Sequence, residues 1–600
     1  MGAGGSVFLG VERSATGRRW QARLDDERLA LGFAQRHGLP EIVARVLAAR
    51  CLDADVPAFL EPRLRDQLPD PAHLKDMDKA AERVARAVEN DELIAIFGDY
   101  DVDGATSSAL LHRFLAAAGA RVRVYIPDRQ REGYGPNAPA LLRLKEEGAG
   151  VVVTVDCGIT AHGPLGEAAA AGVEVVVVDH HVAEPKLPAA VAIVNPNRLD
   201  ETSPHRQLAA VGVAFLLAVA VNRRLREAGR YKDRPEPSLV DLLDLVALGT
   251  VCDVVPLTGL NRVFVSQGLK IIGQRRNIGL VALAEVAKAA KADSCYHLGF
   301  VLGPRVNAGG RVGEASLGTR LLTTDDPEEA RSIAARLDAY NRERQALEAV
   351  ALESAMQQVQ AQGGPGPLVF VASEGWHAGV IGIVAGRLRE RFERPAIVIS
   401  IDASLGERGI GKGSGRSALG IDLGNAVIAA RQAGLLINGG GHPNAAGLTV
   451  AVEKLDALRE FLTARVVEAA QDAVPHLTLD GALSLGAATP DLLGALDRVG
   501  PYGVGNPEPR FAFPTVRVAK ADVVGERHVR CFIADQRGGR LGGIAFRAVG
   551  TPLGAALLES AGSSLHLAGR LRADEWRGEV RVQLHVEDAA PARDEGSLAA

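Results

Sequence analysis

Acidic residues recur in this chain where apolar runs stop. Leu93-Ile-Ala-Ile-Phe97 is followed by Gly98-Asp99-Tyr100-Asp101-Val102-Asp103-Gly104, Val151-Val-Val-Thr-Val155 by Asp156-Cys157-Gly158, and Val173-Glu-Val-Val-Val-Val178 by Asp179-His180-His181. Runs of this kind are expected of parallel strands buried on both faces, and open parallel sheets bind ligands just beyond the carboxyl ends of their strands. The acids should therefore meet in one crevice. An Asp after a strand commonly caps the next helix, and Gly104 or Gly158 could serve a tight turn. For any one acid alone that ordinary role is the better account. Several acids with paired histidines at three successive strand ends exceed what capping requires. Carboxylates gathered without Lys or Arg between them repel one another and lose solvation unless cations join them. Carboxylates with one or two imidazoles and no thiolate suit Mn²⁺ or Mg²⁺ better than structural zinc. Two such ions about 3.5–4 Å apart can activate a water and stabilise the leaving oxygen of a phosphodiester.

The elements that must position these groups alternate strand and helix from about Asp91 onward. Ala- and Leu-rich stretches of helical length, Ser107 to Ala118 and Pro139 to Glu147, lie between the runs. The first domain is thus expected to be an open α/β sheet. Residues 41–90 read as helix and turn, with Pro62, Pro69 and Pro71 as punctuation. From Pro327 to Gln362 the chain is charged, Ala-rich and free of Gly and Pro, and predicts one long connecting helix ending at Gly363-Gly-Pro-Gly-Pro367. A second α/β segment follows, with Leu368-Val-Phe-Val371 and Ala396-Ile-Val-Ile-Ser400 as strands around a helix from Val380 to Arg391. After about Leu477 short alternating runs such as Thr515–Val518, Val529–Ile533 and Val580–Val586 predict a small antiparallel barrel or sandwich. The expected divisions are an N-terminal extension packing on the catalytic domain (1–90), the catalytic domain (91–325), the connecting helix (326–362), a substrate-binding domain (363–474), the barrel (475–590) and a tail (591–600).

Composition is that of an ordinary globular chain, 47% hydrophobic and 24% charged over 600 residues. No apolar run reaches the ~18 residues that span a bilayer, and the first residues lack a basic segment followed by an apolar core. A cytoplasmic location is the expectation. The five cysteines (Cys51, Cys157, Cys252, Cys295, Cys531) form no C-x-x-C pair and no disulfide framework. A net charge of −5 does not itself point to nucleic acid, so any such path must be a local groove.

Cations and hydroxyls set among glycines are candidate phosphate contacts: Arg129 in PDRQREGYG, Arg305 and Arg311 in GPRVNAGGR, and Ser414 and Arg416 in GKGSGRS. Glycine lets backbone amides approach a phosphate, and Arg can grip it with two bonds. A plain surface loop also uses Gly and Arg, and for Arg129 the two accounts weigh equally. Asn438-Gly-Gly-Gly-His442 is more specific, three glycines before a His suggesting backbone held open for a ligand.

The strings FGDYDVDGATSSALL, VTVDCGIT, VVVVDHHV and LGTVCDVVPL resemble the ordered signature of the DHH phosphoesterases. The resemblance implies that Asp101, Asp103, Asp156, His180 and Asp253 ligate two Mn²⁺ or Mg²⁺ ions, with Asp156 as the bridge. His181 would contact the scissile phosphate, and Asp179 would orient the imidazoles. Asp99 is left open as a ligand, because related phosphatases supply a His from just before their D-x-D pair and here that spacing lands on Phe97. The NGGGH string is similar to the glycine-rich motif of the DHH-associated substrate domain. Short members of the family, oligoribonucleases and cyclic-dinucleotide phosphodiesterases, stop after that domain. This chain continues for about 120 residues, and PYGVGNPEPRF, VGERHVR and GIAFR resemble the OB-fold portion of the family's single-strand exonucleases. Such a barrel binds strands by a basic groove with stacked aromatics. Phe511, Phe513, Phe532, Phe546 and Trp576 are its candidates, although each taken singly is more readily a core residue. The resemblance implies 5′→3′ removal of mononucleotides from single-stranded DNA in recombination and repair, by a monomer partnered with a helicase and a single-strand-binding protein and with no membrane. The alternatives are a short-RNA or cyclic-dinucleotide phosphodiesterase of the same class, and a non-catalytic replication scaffold, whose relatives lose acids that are all present here.

Overall fold

The computed structural model describes residues 6–50, 56–129, 131–289, 291–402, 409–418, 420–470, 475–560, 563–576 and 579–592. The chain divides into two units, Gln67–Ala473 and a second made of Met1–Asp66 with Val474–Ala600. The division follows strand β1 (Arg19–Ala22), which pairs in parallel with β12 (His476–Leu479). Residues 6–66 thus do not behave as part of an extension on the catalytic domain. Trp20 is fully buried with its indole donating to Asp588 at 3.0 Å, and Arg23 and Arg50 both reach the buried Asp480. The helix Met77–Glu89, by contrast, belongs to the larger unit.

In the larger unit the apolar runs form a five-stranded, wholly parallel sheet. Its strands are β2 (Leu93–Phe97), β3 (Arg121–Tyr125), β4 (Ala149–Val155), β5 (Val175–Val178) and β6 (Ala192–Val194), in the order β3-β2-β4-β5-β6. The valines of β4 and β5 are buried on both faces, which is why the sequence there does not alternate. The helix expected from Ser107 begins five residues earlier, as Val102–Ala117, so that Asp103 and Gly104 lie in its first turn. The connecting helix runs from Pro327 to Ala361, capped by Asp326.

The following domain holds a mixed sheet ordered β10-β11-β9-β8-β7, made of β7 (Val369–Glu374), β8 (Ala396–Asp402), β9 (Ile410–Arg416), β10 (Asn438–His442) and β11 (Ala445–Ala451). Both glycine-rich strings singled out as candidate ligand contacts are strands. In β9 the glycines fall on the face packed against apolar side chains: a Cβ on Gly413 would meet Leu448 at 2.6 Å, and one on Gly415 would meet Leu423 at 2.6 Å. Strand alternation then puts Lys412, Ser414 and Arg416 together on the opposite face.

In the other unit β14 (Phe511–Val524), β15 (His528–Ala534), β16 (Arg540–Ala545), β18 (Glu579–Pro591) and β17 (Ser564–Trp576) close into a barrel, β17 returning to β14, with the short β13 (Gly481–Ala482) added alongside β14. Its core is shared: Phe511, Phe513, Val529 and Leu567 pack in one cluster with Phe33, Val43 and Leu47. Phe532 and Phe546 point outward, whereas Phe511 and Phe513 are core. The Trp576 side chain, Cys51 and residues 593–600 of the expected tail lie outside the described residues. Among the described residues no helix is long and apolar enough to cross a membrane.

Candidate metal centre

The turns after β2, β4 and β5 bring the expected acids together. Ligand atoms of Asp99, Asp101 and Asp156, of Asp103, His180 and Asp253, and of Asp156, His180 and His181 each lie within 4.8 Å of one another. His180 Nε2 stands 3.3 Å from Asp156 Oδ1, 3.5 Å from Asp253 Oδ2 and 3.8 Å from Asp103 Oδ2.

Local structure explains each position. Asp101 caps the Val102–Ala117 helix, accepting from the Gly104 amide at 3.0 Å, so capping and membership of the cluster coexist in one residue. Gly104 is required there, since a Cβ would sit 2.6 Å from the Asp99 carbonyl oxygen. Asp103 accepts from the Ala210 and Val211 amides at 2.7 and 2.9 Å, at the start of the Ala210–Glu227 helix, and its oxygens keep further lone pairs for another partner. Asp156 occupies the left-handed region with φ 60°, a strained conformation of the kind that clusters at functional sites. Asp253 follows the Leu243–Cys252 helix, which approaches Val102–Ala117 closely at Gly249, where a Cβ would lie 2.3 Å from Thr106 Oγ1 and 3.1 Å from Asp103 Oδ1.

Asp99 belongs to the cluster, while Phe97 is buried against Tyr125 in the sheet core and offers no ligand. Asp179 faces inward and holds the histidine turn, accepting from the Ile159, His180 and His181 amides and from His181 Nδ1 at 2.7 Å. Burial would raise its carboxyl, but the hydrogen bond and charge of His181 prevail and hold it near about 2. Burial pushes His180 down to about 4, aided by the His181 charge, so its imidazole is neutral and one ring nitrogen has a lone pair available.

Four other acids of the cluster are in the opposite condition. Burial, followed by the charge of neighbouring carboxylates, raises Asp103 to about 7 and lifts Asp99, Asp156 and Asp253 well above the carboxylate range. Asp99 Oδ1, Asp156 Oδ1, His180 Nε2 and Asp253 Oδ2 are buried with no hydrogen-bond partner. Polar atoms left so are costly, and carboxylate oxygens plus a neutral imidazole are the donor set of a hard divalent cation. These residues therefore fit Mn²⁺ or Mg²⁺.

The expected phosphate contacts divide. Arg129 lies over the Tyr100 ring at 5.1 Å, beside the acids. Arg311 is held close by as well: a Cβ on Gly310 would meet the Tyr100 carbonyl oxygen at 2.7 Å. Its guanidinium donates to the Gly379 carbonyl and has no carboxylate in ion-pair range among the described residues. Burial, with Arg129 and Arg344 nearby, lowers it to about 10. Arg416 donates to Ser414 at 3.2 Å on the face of β9 away from Leu448 and Leu423, next to Gly382 near the start of the Ile381–Phe392 helix. His442 is exposed at the end of the edge strand β10. Arg305 is otherwise engaged, donating to Asp338 at 2.9 Å and to the Val301 carbonyl, and so ties its helix to the long connecting helix. The GPR string does not distinguish that helix surface from a phosphate loop.

Other residues of the site were not singled out by sequence. The Tyr134 hydroxyl donates to the Asp156 carbonyl at 3.1 Å and lies 3.4 Å from His181 Nδ1. Asn195 and Asn197 donate to the carbonyls of His181 and His180. Two asparagines directly after the Ala192–Val194 strand were the available signal.

A parallel sheet with an acid–histidine cluster at its carboxyl edge, followed by a mixed-sheet domain, has the make-up of a DHH phosphoesterase. The model of the DHH family, N-terminal domain, matches residues 93–250, and that of the DHHA1 domain matches residues 366–468. The RecJ OB domain model matches residues 479–588. The single-stranded-DNA-specific exonuclease RecJ of Dickeya dadantii is 39% identical over 567 residues, covering 92% of this chain and 96% of that protein. RecJ of Bacillus subtilis is 34% identical over 96% of this chain and 71% of its own length. The crystal structure of RecJ in complex with Mn²⁺ from Thermus thermophilus matches with a TM-score of 0.79 at 30% identity, covering 94% of this chain and 78% of that one. The chain belongs to the RecJ family of single-stranded-DNA-specific exonucleases.

Proposed function

We infer that this chain is a metal-dependent exonuclease that degrades single-stranded DNA from the 5′ end to mononucleotides in recombination and repair. The observation that carries the reading is the set of buried, partnerless oxygens and imidazole nitrogen at the carboxyl edge of the parallel sheet. Asp99, Asp101, Asp103, Asp156, His180 and Asp253 are the residues that would hold two Mn²⁺ or Mg²⁺ ions, with Asp156, which stands in two of the three groups of ligand atoms, as the bridge. Bound there, such ions supply a nucleophilic water and neutralise charge on the phosphate. His181, fixed by Asp179 at Nδ1, presents Nε2 to the scissile phosphate. Arg129 and Arg311 grip phosphates beside the acids, and Ser414, Arg416 and His442 receive the strand on the second domain. Phe532 and Phe546, exposed on the outer wall of the barrel, stack unpaired bases in this reading. Monomeric action in the cytoplasm, with a helicase and a single-strand-binding protein as partners, completes the reading.

The test is a substrate panel: 5′-phosphorylated and 5′-hydroxyl single strands, a duplex and short RNA, each with Mn²⁺ or Mg²⁺ and with product identification. Preferential release of 5′ mononucleotides from single-stranded DNA supports the reading. Equal or better turnover of short RNA rejects it in favour of an oligoribonuclease. Charge-assisted bonds to phosphate contribute roughly 1.5–3 kcal/mol, so Arg416→Ala should cut the preference for a 5′-phosphate by about ten- to a hundredfold. Equal slowing of both strands would make Arg416 a general backbone contact.

A further inference from the structure

Between Arg311 and the Ser414–Arg416 face lies a short loop, Trp376-His377-Ala378-Gly379-Val380, that the reading above does not use. Its first residue is buried and its carbonyl accepts from Ser400 on β8. Its last residue leads into the Ile381–Phe392 helix, the Val380 amide donating to the His377 carbonyl at 3.0 Å. Within the loop the Gly379 amide donates to His377 Nδ1 at 3.0 Å, and the carbonyl of the same glycine accepts from Arg311 Nη1 at 3.0 Å. A side chain at Gly379 has no room, since a Cβ would stand 2.6 Å from the Arg311 carbonyl oxygen and 2.9 Å from His377 Nδ1. Two successive peptide groups that meet at the Gly379 Cα are thus held in series: the imidazole accepts the N–H of the first, and the carbonyl of the second, whose own N–H at Val380 bonds the His377 carbonyl, is committed to the guanidinium. The guanidinium has five N–H donors, and a carbonyl that fixes one of them sets the direction of the rest.

We propose that His377 is a positioning residue: by holding the Gly379 amide it fixes the turn at that residue, so that the peptide following it aims its carbonyl at Arg311 and fixes the guanidinium for a phosphate of the strand. The inference rests on Arg311 contacting substrate phosphate, as proposed above. A side-chain acceptor bonded to the amide two residues on is the geometry an asparagine adopts in an Asx-turn. His377→Asn therefore keeps the grip and removes the rest of the ring, whereas His377→Ala loses both.

The experiment is steady-state cleavage of 5′-phosphorylated single strands by the Mn²⁺-loaded full chain, with amide exchange at Gly379 measured alongside. His377→Ala should raise KM by about tenfold with kcat changed less than about threefold, the signature of lost uniform binding. His377→Asn should stay within about threefold of the parent, and His377→Ala placed in an Arg311→Ala background should add less than about twofold. The Gly379 amide should exchange faster in His377→Ala and stay protected in His377→Asn. If His377→Asn is as impaired as His377→Ala, or if the His377 and Arg311 effects add, His377 acts on its own and the proposal is overturned. If the parent cleaves no single strand, the functional reading fails separately. Amide exchange then decides the grip alone, and unchanged protection of Gly379 in His377→Ala overturns it.

Discussion

Asp156 has a carboxylate oxygen 3.3 Å from His180 Nε2, an amide backbone in the left-handed region and a carboxyl driven upward by burial and then by Asp101, Asp103 and Asp253. A residue so placed destabilises the metal-free protein and is useful only when a cation joins it. Asp156→Asn should therefore leave the metal-free melting temperature equal or higher, abolish the rise that Mn²⁺ gives the parent, and reduce cleavage by at least about a hundredfold. Thermal melts in EDTA and in Mn²⁺, beside a cleavage assay, check all three. A lower melting temperature in EDTA would show that the carboxylate stabilises the fold without metal. At this scale the sequence was informative where a buried apolar run stops at an acid, because strand burial and strand-end placement are local consequences of the residue pattern. Asp99 through Asp179 were legible for that reason. Tyr134 was not, since nothing in a loop sequence reveals which carbonyl a hydroxyl will reach. Arg305 was not told apart by sequence, because a helix and a phosphate loop can share the same glycines and arginines.

The Leu243–Cys252 helix delivers Asp253 to the cluster from one end and buries a second acid, Asp244, near the other. Burial raises Asp244 to about 6. Its unfolded value is lower, so the folded state binds the proton more tightly. The cost of ionisation is absent below pH about 4, grows through about 6 and is constant above. Asp244→Asn keeps an oxygen acceptor for the Leu245 amide, which the native carboxylate holds at 2.7 Å. The variant should match the parent in stability near pH 4 and exceed it by ~3 kcal/mol at pH 8, as read by denaturant unfolding at the two pH values. A variant less stable at pH 8 would show that the ionised carboxylate has a favourable partner. Element types were legible where periodicity ran long, as in the helix expected from Pro327 to Gln362 and found from Pro327 to Ala361. They failed where glycines dominated. The alternation in GKGSGRS is a strand pattern whose inner face happens to be glycine, and it reads as a loop until Leu448 and Leu423 are seen above it.

At the scale of the molecule, the N-terminal 66 residues belong with the C-terminal barrel. Cutting the chain after residue 473 would strip Phe33, Val43 and Leu47 of the partners Phe511, Phe513 and Leu567. A fragment ending there should aggregate through that exposed apolar surface, whereas one spanning 67–473 should be soluble, bind Mn²⁺ and cleave short strands while holding long ones more weakly. Light scattering and cleavage of strands of graded length compare the two fragments. A soluble 1–473 fragment with native-like melting would contradict the shared core. No sequence pattern announced this arrangement, because pairing between β1 and β12 depends on partners more than 450 residues apart.

That pairing also sets an order of events at the ribosome. The Trp20 indole and the Asp588 carboxylate that receives it are 568 residues apart, and at about 5–20 residues per second the wait between their syntheses is roughly half a minute to two minutes. The nuclease core can finish folding during that interval, while Trp20, Phe33 and Leu47 remain without their eventual cover. This segment, made well before the barrel, is thus among the last to be completed, and during translation the molecule depends on whatever shields those side chains until the barrel arrives.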